Sequence, residues 1–295
     1  MLPVFARVNP RLPNGSVDPA AVTRLAAIAK RVRLRDAQMI AAAGLGHIGG
    51  DFSVIDILVT LYFAVLNFDP SHPLAEHRDR LILSKGHASG ALYATFASLG
   101  LIEEEALETF MAPLSNLSGH PANTKITGVE ASTGPLGHGL PVGVGMALAA
   151  AHQSSSQRTF VIVGDGELEE GSNWEAMMVA AHYHLTNLTV VVDRNGLQQG
   201  ATTAATTALE PLGAKAAAFG FDVVEVNGHD FSGLIEALTN TGAKQSPGTA
   251  EGRPSFVIAE TTKGYPISFM SGQVAWHHKV PSQADLAQIM VELGV

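Results

Sequence analysis

Oxygen donors suited to a hard cation stand near the middle of this 295-residue sequence. Asp165 lies inside a Gly-Asp-Gly turn, and Asn195 follows thirty positions later in the stretch GDGELEEGSNWEAMMVAAHYHLTNLTVVVDRNGL. A carboxylate, an amide oxygen and a nearby backbone carbonyl are hard ligands, few in number, which suits Mg²⁺ or Ca²⁺ shared with a phosphate. The remaining ligands are then expected from a diphosphate. Gly164 and Gly166 allow close backbone approach, and the helix that follows offers free N–H groups to an anion.

These groups need elements to hold them. Residues 159–163 (TFVIV) form a β-branched run between turn residues and read as a buried strand that delivers Asp165 to its C-terminal end. Residues 172–185 carry Trp174, Met177, Met178, Ala181 and Leu185 at helical spacing, with Glu167, Glu169 and Glu170 near the start, where the helix dipole favours negative charge. A second apolar run at 188–192 delivers Asp193 and Asn195. A strand-helix-strand unit crosses over right-handed between parallel neighbours, so Asp165 and Asn195 are expected side by side.

The same alternation runs through the chain. Residues 1–16 read as an irregular arm and 17–295 as one domain. Asp18-Pro19 opens a helix to about Ala43. GLGHIGGDFS reads as a glycine-rich loop carrying His47, with Ser53 capping a helix through Leu66. RLIL (80–83) is a strand that stops at Ser84-Lys85-Gly86-His87, and a small acidic helix at 103–111 precedes a polar loop containing His120. The glycines of STGPLGHGLPVGVG lack a preceding strand and the spacing of a dinucleotide fingerprint, so they are read as close helix packing. Further helices are expected at 209–219, 231–239 and 283–293, strands at 222–226 and 255–261, and a surface connection at 240–254. The last strand ends at Thr262-Lys263-Gly264, and a loop at 265–281 carries Trp276, His277 and His278. His182 and His184 are read as partly buried helix residues and His229 as a turn residue. The pattern predicts an α/β fold, a mostly parallel sheet flanked by helices on both faces, with ligands at the strands' C-terminal ends. His87, Asp165, Asn195 and Lys263 all fall at that edge.

The net charge of −9 and the lack of basic clusters argue against nucleic acid or an anionic membrane as partner. No Cys is present, which excludes disulfides and thiolate metal sites. The most apolar segment, 54–66, reads as too short to span a bilayer, so a soluble cytoplasmic protein is expected. The 46% hydrophobic content suggests extensive subunit contacts.

LSKGH (83–87), GHP (119–121), STGPLGHG (132–139), GDGELEEG (164–171), DRNGLQQ (193–199), TTKG (261–264) and WHHKVP (276–281) occur in the order seen in transketolases. From about Asp18 onward the chain resembles the N-terminal, diphosphate-binding half of that family. The resemblance implies the thiamine diphosphate-binding fold, with Mg²⁺ (or Ca²⁺ or Mn²⁺) held by Asp165, Asn195 and the Leu197 carbonyl. It implies His87, His277 and the Gly166 backbone on the diphosphate, with Gly164, Glu167 and Lys263 at the same end. The Gly134 and Leu136 backbones would meet the aminopyrimidine. His47, His120 and His277 would face sugar hydroxyls and help move protons, a role that suits imidazole. Glu170, with Glu175, matches a glutamate cluster that links paired active sites across the family's subunit interface. His138 stands where the family has Gln.

The resemblance further implies transfer of a two-carbon ketol unit from a ketose to an aldose acceptor. It also implies a separate partner subunit bearing the pyrimidine-binding and C-terminal domains, two copies of each chain assembling together. Two rival readings are an α-subunit of a 2-oxoacid dehydrogenase, which shares the GDG…N site, and a non-catalytic assembly or sensing protein. The histidines at 47, 87, 120 and 277 favour a polyhydroxylated sugar over an oxoacid, and the intact Asp165, Asn195 and His87 count against a decayed site.

Overall fold

The computed structural model describes residues 4–241 and 252–295, so most of the connection expected at 240–254 lies outside the described residues. Five strands, β1 (Arg80–Leu83), β2 (Thr159–Gly164), β3 (Leu188–Arg194), β4 (Asp222–Asn227) and β5 (Ser255–Glu260), form one sheet in the order β1-β2-β3-β5-β4. All pairings are parallel. The register sets Gly164 opposite Asp193 and Asp193 opposite Ala259, which aligns the exits of the central strands.

Strands buried on both faces need apolar side chains at successive positions, and β2 is buried along its whole length. Phe160 and Ile162 face one core; Val161 and Val163 face the other. Each such side chain contributes roughly 1.5–3 kcal/mol on burial. The first core is closed by α1 (Pro19–Ala43), α2 (Ile48–Thr60), α3 (Ser89–Leu99), α8 (Phe231–Thr239) and α9 (Gln283–Leu293). The second lies under α4 (Gly139–His152), α5 (Gly171–His182) and α7 (Leu212–Ala218), and a single turn, α6 (Thr203–Thr206), follows β3.

The expected caps of α1 are present: Asp18 accepts from Ala20 N–H, and Gly44 closes the helix at φ 68°. The start of α2 differs. It begins at Ile48, directly after His47, and Ser53 is inside it, donating to the Gly50 carbonyl at 3.1 Å and to Asp193 at 2.7 Å. The glycines there serve close approach, since a Cβ on Gly49 would lie 2.7 Å from the Trp276 carbonyl oxygen. Through a π-helical turn at Leu61–Val65 the helix continues to 18 residues, longer than expected and long enough to cross a membrane, yet 94% of it is buried inside the protein. It is a core helix packed on α1 and α3.

Other boundaries moved for local reasons. The acidic segment at Glu104–Thr109 winds as a 3-10 helix. Because His184 adopts φ 50°, a left-handed conformation, α5 ends at His182; both histidines are exposed at its end and not partly buried in a longer helix. The N-terminal arm is docked: Arg7 donates to the Tyr62 and Phe68 carbonyls at 3.0 and 2.9 Å, and Val8 N–H to the Phe63 carbonyl at 2.8 Å.

Candidate functional site

A cavity of about 310 Å³ opens at the C-terminal edge of β1, β2, β3 and β5. Its acidic wall is made by the turns after β2 and β3. Asp165, 3% exposed, accepts from Gly166 N–H at 2.9 Å and from Gly196 N–H at 2.6 Å, so one carboxylate ties the two turns together. Asn195 Oδ1 accepts from Leu197 N–H at 3.1 Å. The bridge between Leu197 and Thr202 uses the Gly196 carbonyl and the Gln198 N–H, which leaves the Leu197 carbonyl out of that ladder. Burial, and then the neighbouring Asp193, push Asp165 up to about 6. No ion pair neutralises it among the described residues. A small hard dication supplies what such a carboxylate lacks, so this donor set fits Mg²⁺ or Ca²⁺.

The floor carries two buried cations. Lys85, in the turn after β1, donates to Asp193 at 2.5 Å and to the Gly50 carbonyl at 3.0 Å. Asp193 thus belongs to the floor: burial pushes its carboxyl up, but Lys85, with the Thr261 and Ser53 hydroxyls, brings it below the usual range. Lys263, at the exit of β5, lies 2.9 Å from His277 Nδ1. Burial, then Lys85, lower it to about 8, and at pH 7 it still carries its charge. Paired ammonium groups beside the Gly164-Asp165-Gly166 turn suit a multiply charged anion.

Opposite stand the histidines. His47 precedes α2, His87 lies in the turn Gly86–Ala88, and His277 follows the short turn Val274–Trp276. Ring centroids are 5.3 Å apart for His47 and His87, 5.5 Å for His47 and His277 and 5.6 Å for His87 and His277. His120 and His278, both exposed, complete the rim. Burial, then His278, lower His47 to about 4; burial, then Lys263, lower His277 to about 3; and burial, then Lys85, hold His87 well below its ordinary value. These three rings are neutral near pH 7; His47 and His87 each carry one donor and one acceptor, whereas His277, whose Nδ1 faces the Lys263 ammonium, has its Nε2–H left as a donor. Nitrogens of His47, His277 and His278 lie within 4.8 Å of one another, a metal-like grouping, with the Lys263 ammonium on the Nδ1 side of His277.

The third wall is the loop before α4. Gly134 has φ 144°, and a Cβ there would lie 3.0 Å from the His120 ring; Leu136 is partly exposed beside it. Of the residues expected at the site, His47, His87, His120, Gly134, Leu136, Gly164, Asp165, Gly166, Glu167, Asn195, Leu197, Lys263 and His277 all line this cavity. The two glutamates of this turn are placed differently. Glu167 does not offer a free carboxylate: it is buried and accepts from Ser84 Oγ, from Gly137 N–H at 2.9 Å and from Gly164 N–H at 3.0 Å, clamping three segments. Glu170 is outside the cavity, exposed at the start of α5, because the turn Gly166–Glu169 carries the chain away from the strand edge. His138 is exposed, with Nδ1 3.0 Å from the Leu136 carbonyl oxygen. Sequence reasoning missed Gly50, Lys85, Gln198 and Gln199 as cavity residues; only Lys85 had a signal, as a cation inside a turn at a strand's C-terminal end.

Comparison with known proteins agrees with this geometry. The family described as "Transketolase, thiamine diphosphate binding domain" matches residues 25–295. An apulose-4-phosphate transketolase subunit of Actinobacillus succinogenes is 44% identical over 248 residues, covering 84% of this chain and 87% of that protein. The 6-deoxy-6-sulfo-D-fructose transketolase subunit SqwG of Clostridium sp. is 37% identical, covering 84% of this chain and 88% of its own length. Among solved structures, transketolase from Leishmania mexicana superposes with a TM-score of 0.84 at 30% identity over 92% of this chain. The chain spans 41% of that structure's length.

Proposed function

The chain belongs to the transketolase family, and we propose that it is the diphosphate-binding subunit of a two-chain transketolase that moves a two-carbon ketol unit from a ketose to an aldose acceptor. The observation that carries this reading is the cavity itself. One wall offers Asp165, Asn195 and the Leu197 carbonyl to a divalent cation, the floor offers Lys85 and Lys263 to a diphosphate, and the far wall offers neutral imidazoles to a polyhydroxylated substrate. Thiamine diphosphate, when bound, supplies the carbanion chemistry that breaks and remakes a bond next to a carbonyl.

The protein's own residues do the rest. Asp165 and Asn195 would hold the cation, Mg²⁺ or in its place Ca²⁺ or Mn²⁺, and His87 and Lys263, with the Gly166 backbone beside them, would hold the diphosphate. The Gly134 and Leu136 backbones position the aminopyrimidine. His47, kept neutral by burial, and His120 at the rim would accept and donate protons at substrate hydroxyls, and His277, with Nδ1 held by Lys263, would donate there from Nε2–H. Five imidazoles facing one cavity favour a sugar over the simple oxoacid of a 2-oxoacid dehydrogenase, and the intact site weighs against a non-catalytic role.

A partner chain is part of the proposal. Asp165 and Glu167 are the carboxylates lining the cavity among the described residues, and both are bonded to backbone N–H groups, so the carboxylate that activates the aminopyrimidine comes from another chain. Val142 on α4 and Met178, Val179 and Tyr183 at α5 are 41–56% exposed, an apolar face suited to an assembly with two copies of each chain. Relatives of similar length carry names that make each of them one subunit of a transketolase, which agrees with this. The test is ketol transfer by the purified chain with saturating thiamine diphosphate and Mg²⁺, before and after adding a chain with the pyrimidine-binding and C-terminal domains. Activity is expected only in the mixture; full activity of the single chain refutes the reading.

A further inference from the structure

One histidine outside the cavity reaches its floor. His229, between β4 and α8, accepts at Nε2 from Thr262 N–H at 2.9 Å, and its Nδ1 lies 2.8 Å from Asp56 Oδ2. Asp56 is gripped by Arg33, which donates to its two oxygens at 2.9 and 2.7 Å; both side chains are at most 4% exposed. Burial pushes the Asp56 carboxyl up, but Arg33 and His229 outweigh it and keep it below its ordinary value. The neighbours dictate one tautomer: the ionised carboxylate accepts a hydrogen bond from Nδ1–H, and the backbone N–H requires a lone pair on Nε2. The ring stacks on Tyr265 at 3.7 Å, and Arg33 Nε also donates to the Tyr265 carbonyl at 3.0 Å.

We propose that His229 is a positioning residue for the Lys263 turn: Arg33 and Asp56 set its tautomer, and its Nε2 acceptor holds Thr262 so that Lys263 meets His277 in the cavity. The lever is short, because Thr262 immediately precedes Lys263. The same turn is joined to the start of α2 by Gly264 N–H to the Gly49 carbonyl at 3.0 Å, and to the following loop by Gly272 N–H to the Lys263 carbonyl at 2.9 Å. Loss of the Nε2 acceptor leaves the Thr262 N–H to find water, and the turn shifts outward with the lysine. The inference concerns the site of the proposed function, but it is read from Lys263 in the ligand-free chain and stands or falls separately from that function.

The test has two parts. Long-range proton–nitrogen NMR of the unmodified chain between pH 7 and 8 is expected to find His229 as the Nδ1–H tautomer; an Nε2–H or doubly protonated ring overturns the proposal without any variant. Then His229→Gln and His229→Asn are compared. Both lose the stacked ring and share its cost in stability, but only the Gln side chain is long enough to present an acceptor near the Nε2 position. The pH midpoint of Lys263 acetylation by acetic anhydride, followed by mass spectrometry, is expected at about 8 in the parent. It is expected to move little in the Gln variant and to rise by about one pH unit or more in the Asn variant as the lysine rehydrates. Equal midpoints in the two variants overturn the proposal.

Discussion

Asp51→Asn should stabilise this protein, and only at high pH. Asp51 stands in the first turn of α2 and Asp36 in α1, with exposures of 1% and 0%. A Cβ on Gly90 would lie 2.3 Å from Asp36 Oδ1 and 3.0 Å from Asp51 Oδ2, so the two carboxyls converge on that glycine. Ala91 N–H donates to Asp51 Oδ1 at 3.2 Å, whereas Asp51 Oδ2 and both oxygens of Asp36 have no hydrogen-bond partner. Arg33, the nearby cation, is committed to Asp56. Burial therefore pushes Asp51 up to about 7, and burial with the Asp51 charge raises Asp36 well above its ordinary value. A carboxyl whose folded pKa is raised contributes fully below its unfolded value of 3.8, and that contribution is lost as pH climbs through 7. The loss is on the order of 4 kcal/mol when complete, at about 1.4 kcal/mol per pH unit. Asparagine stays neutral and keeps an acceptor for Ala91. Its advantage over the parent should be small at pH 4.5 and should reach on the order of 10 °C in melting temperature at pH 8. Scanning calorimetry at the two pH values decides; a gap that does not widen with pH, or a variant less stable at pH 8, refutes the reasoning.

Asp165→Ala should abolish metal-dependent binding of thiamine diphosphate while the melting transition persists; titration calorimetry showing parent-like binding would remove Asp165 from the cation's ligands. His120→Ala should lower turnover of the reconstituted enzyme on the order of 10²-fold with little change in cofactor affinity, and unchanged turnover excludes it from proton transfer. Gly139→Ala should destabilise the fold by roughly 1–3 kcal/mol, because the new Cβ would sit 2.3 Å from Ser84 Oγ and 2.8 Å from Ser84 Cα; denaturant melts matching the parent would show that β1 and α4 can separate there.

The strands and most of the cavity were legible because parallel strands advertise themselves as continuous β-branched runs and their exits carry the chemistry. Asp165, Asn195, His87 and Lys263 were found in that way. What escaped depended on partners distant in sequence. Glu167 finds Ser84 and Gly137, 83 and 30 positions away, and nothing near it marks a clamp instead of a ligand. His229 looks like a turn residue until β5 brings Thr262 beside it, 33 positions on. Glycines 49 and 50 signalled a loop, though here they lie on a helix surface, where Gly49 admits the Trp276 carbonyl and the Lys263 side chain. Asp36 left a faint mark, as the one polar residue where the apolar stripe of α1 passes from Val32 to Met39 and Ile40.

The Glu167 clamp has a kinetic consequence. Because one buried carboxylate fastens the exits of β1 and β2 to the loop before α4, the ordering entropy of those turns is surrendered as the chain folds, not when a ligand arrives. A diphosphate would encounter a cradle already in shape. Its association would then be governed by diffusion and by the pull of Lys85 and Lys263, with no slow loop closure to wait for, and the residence time would rest on the groups that close over it afterwards.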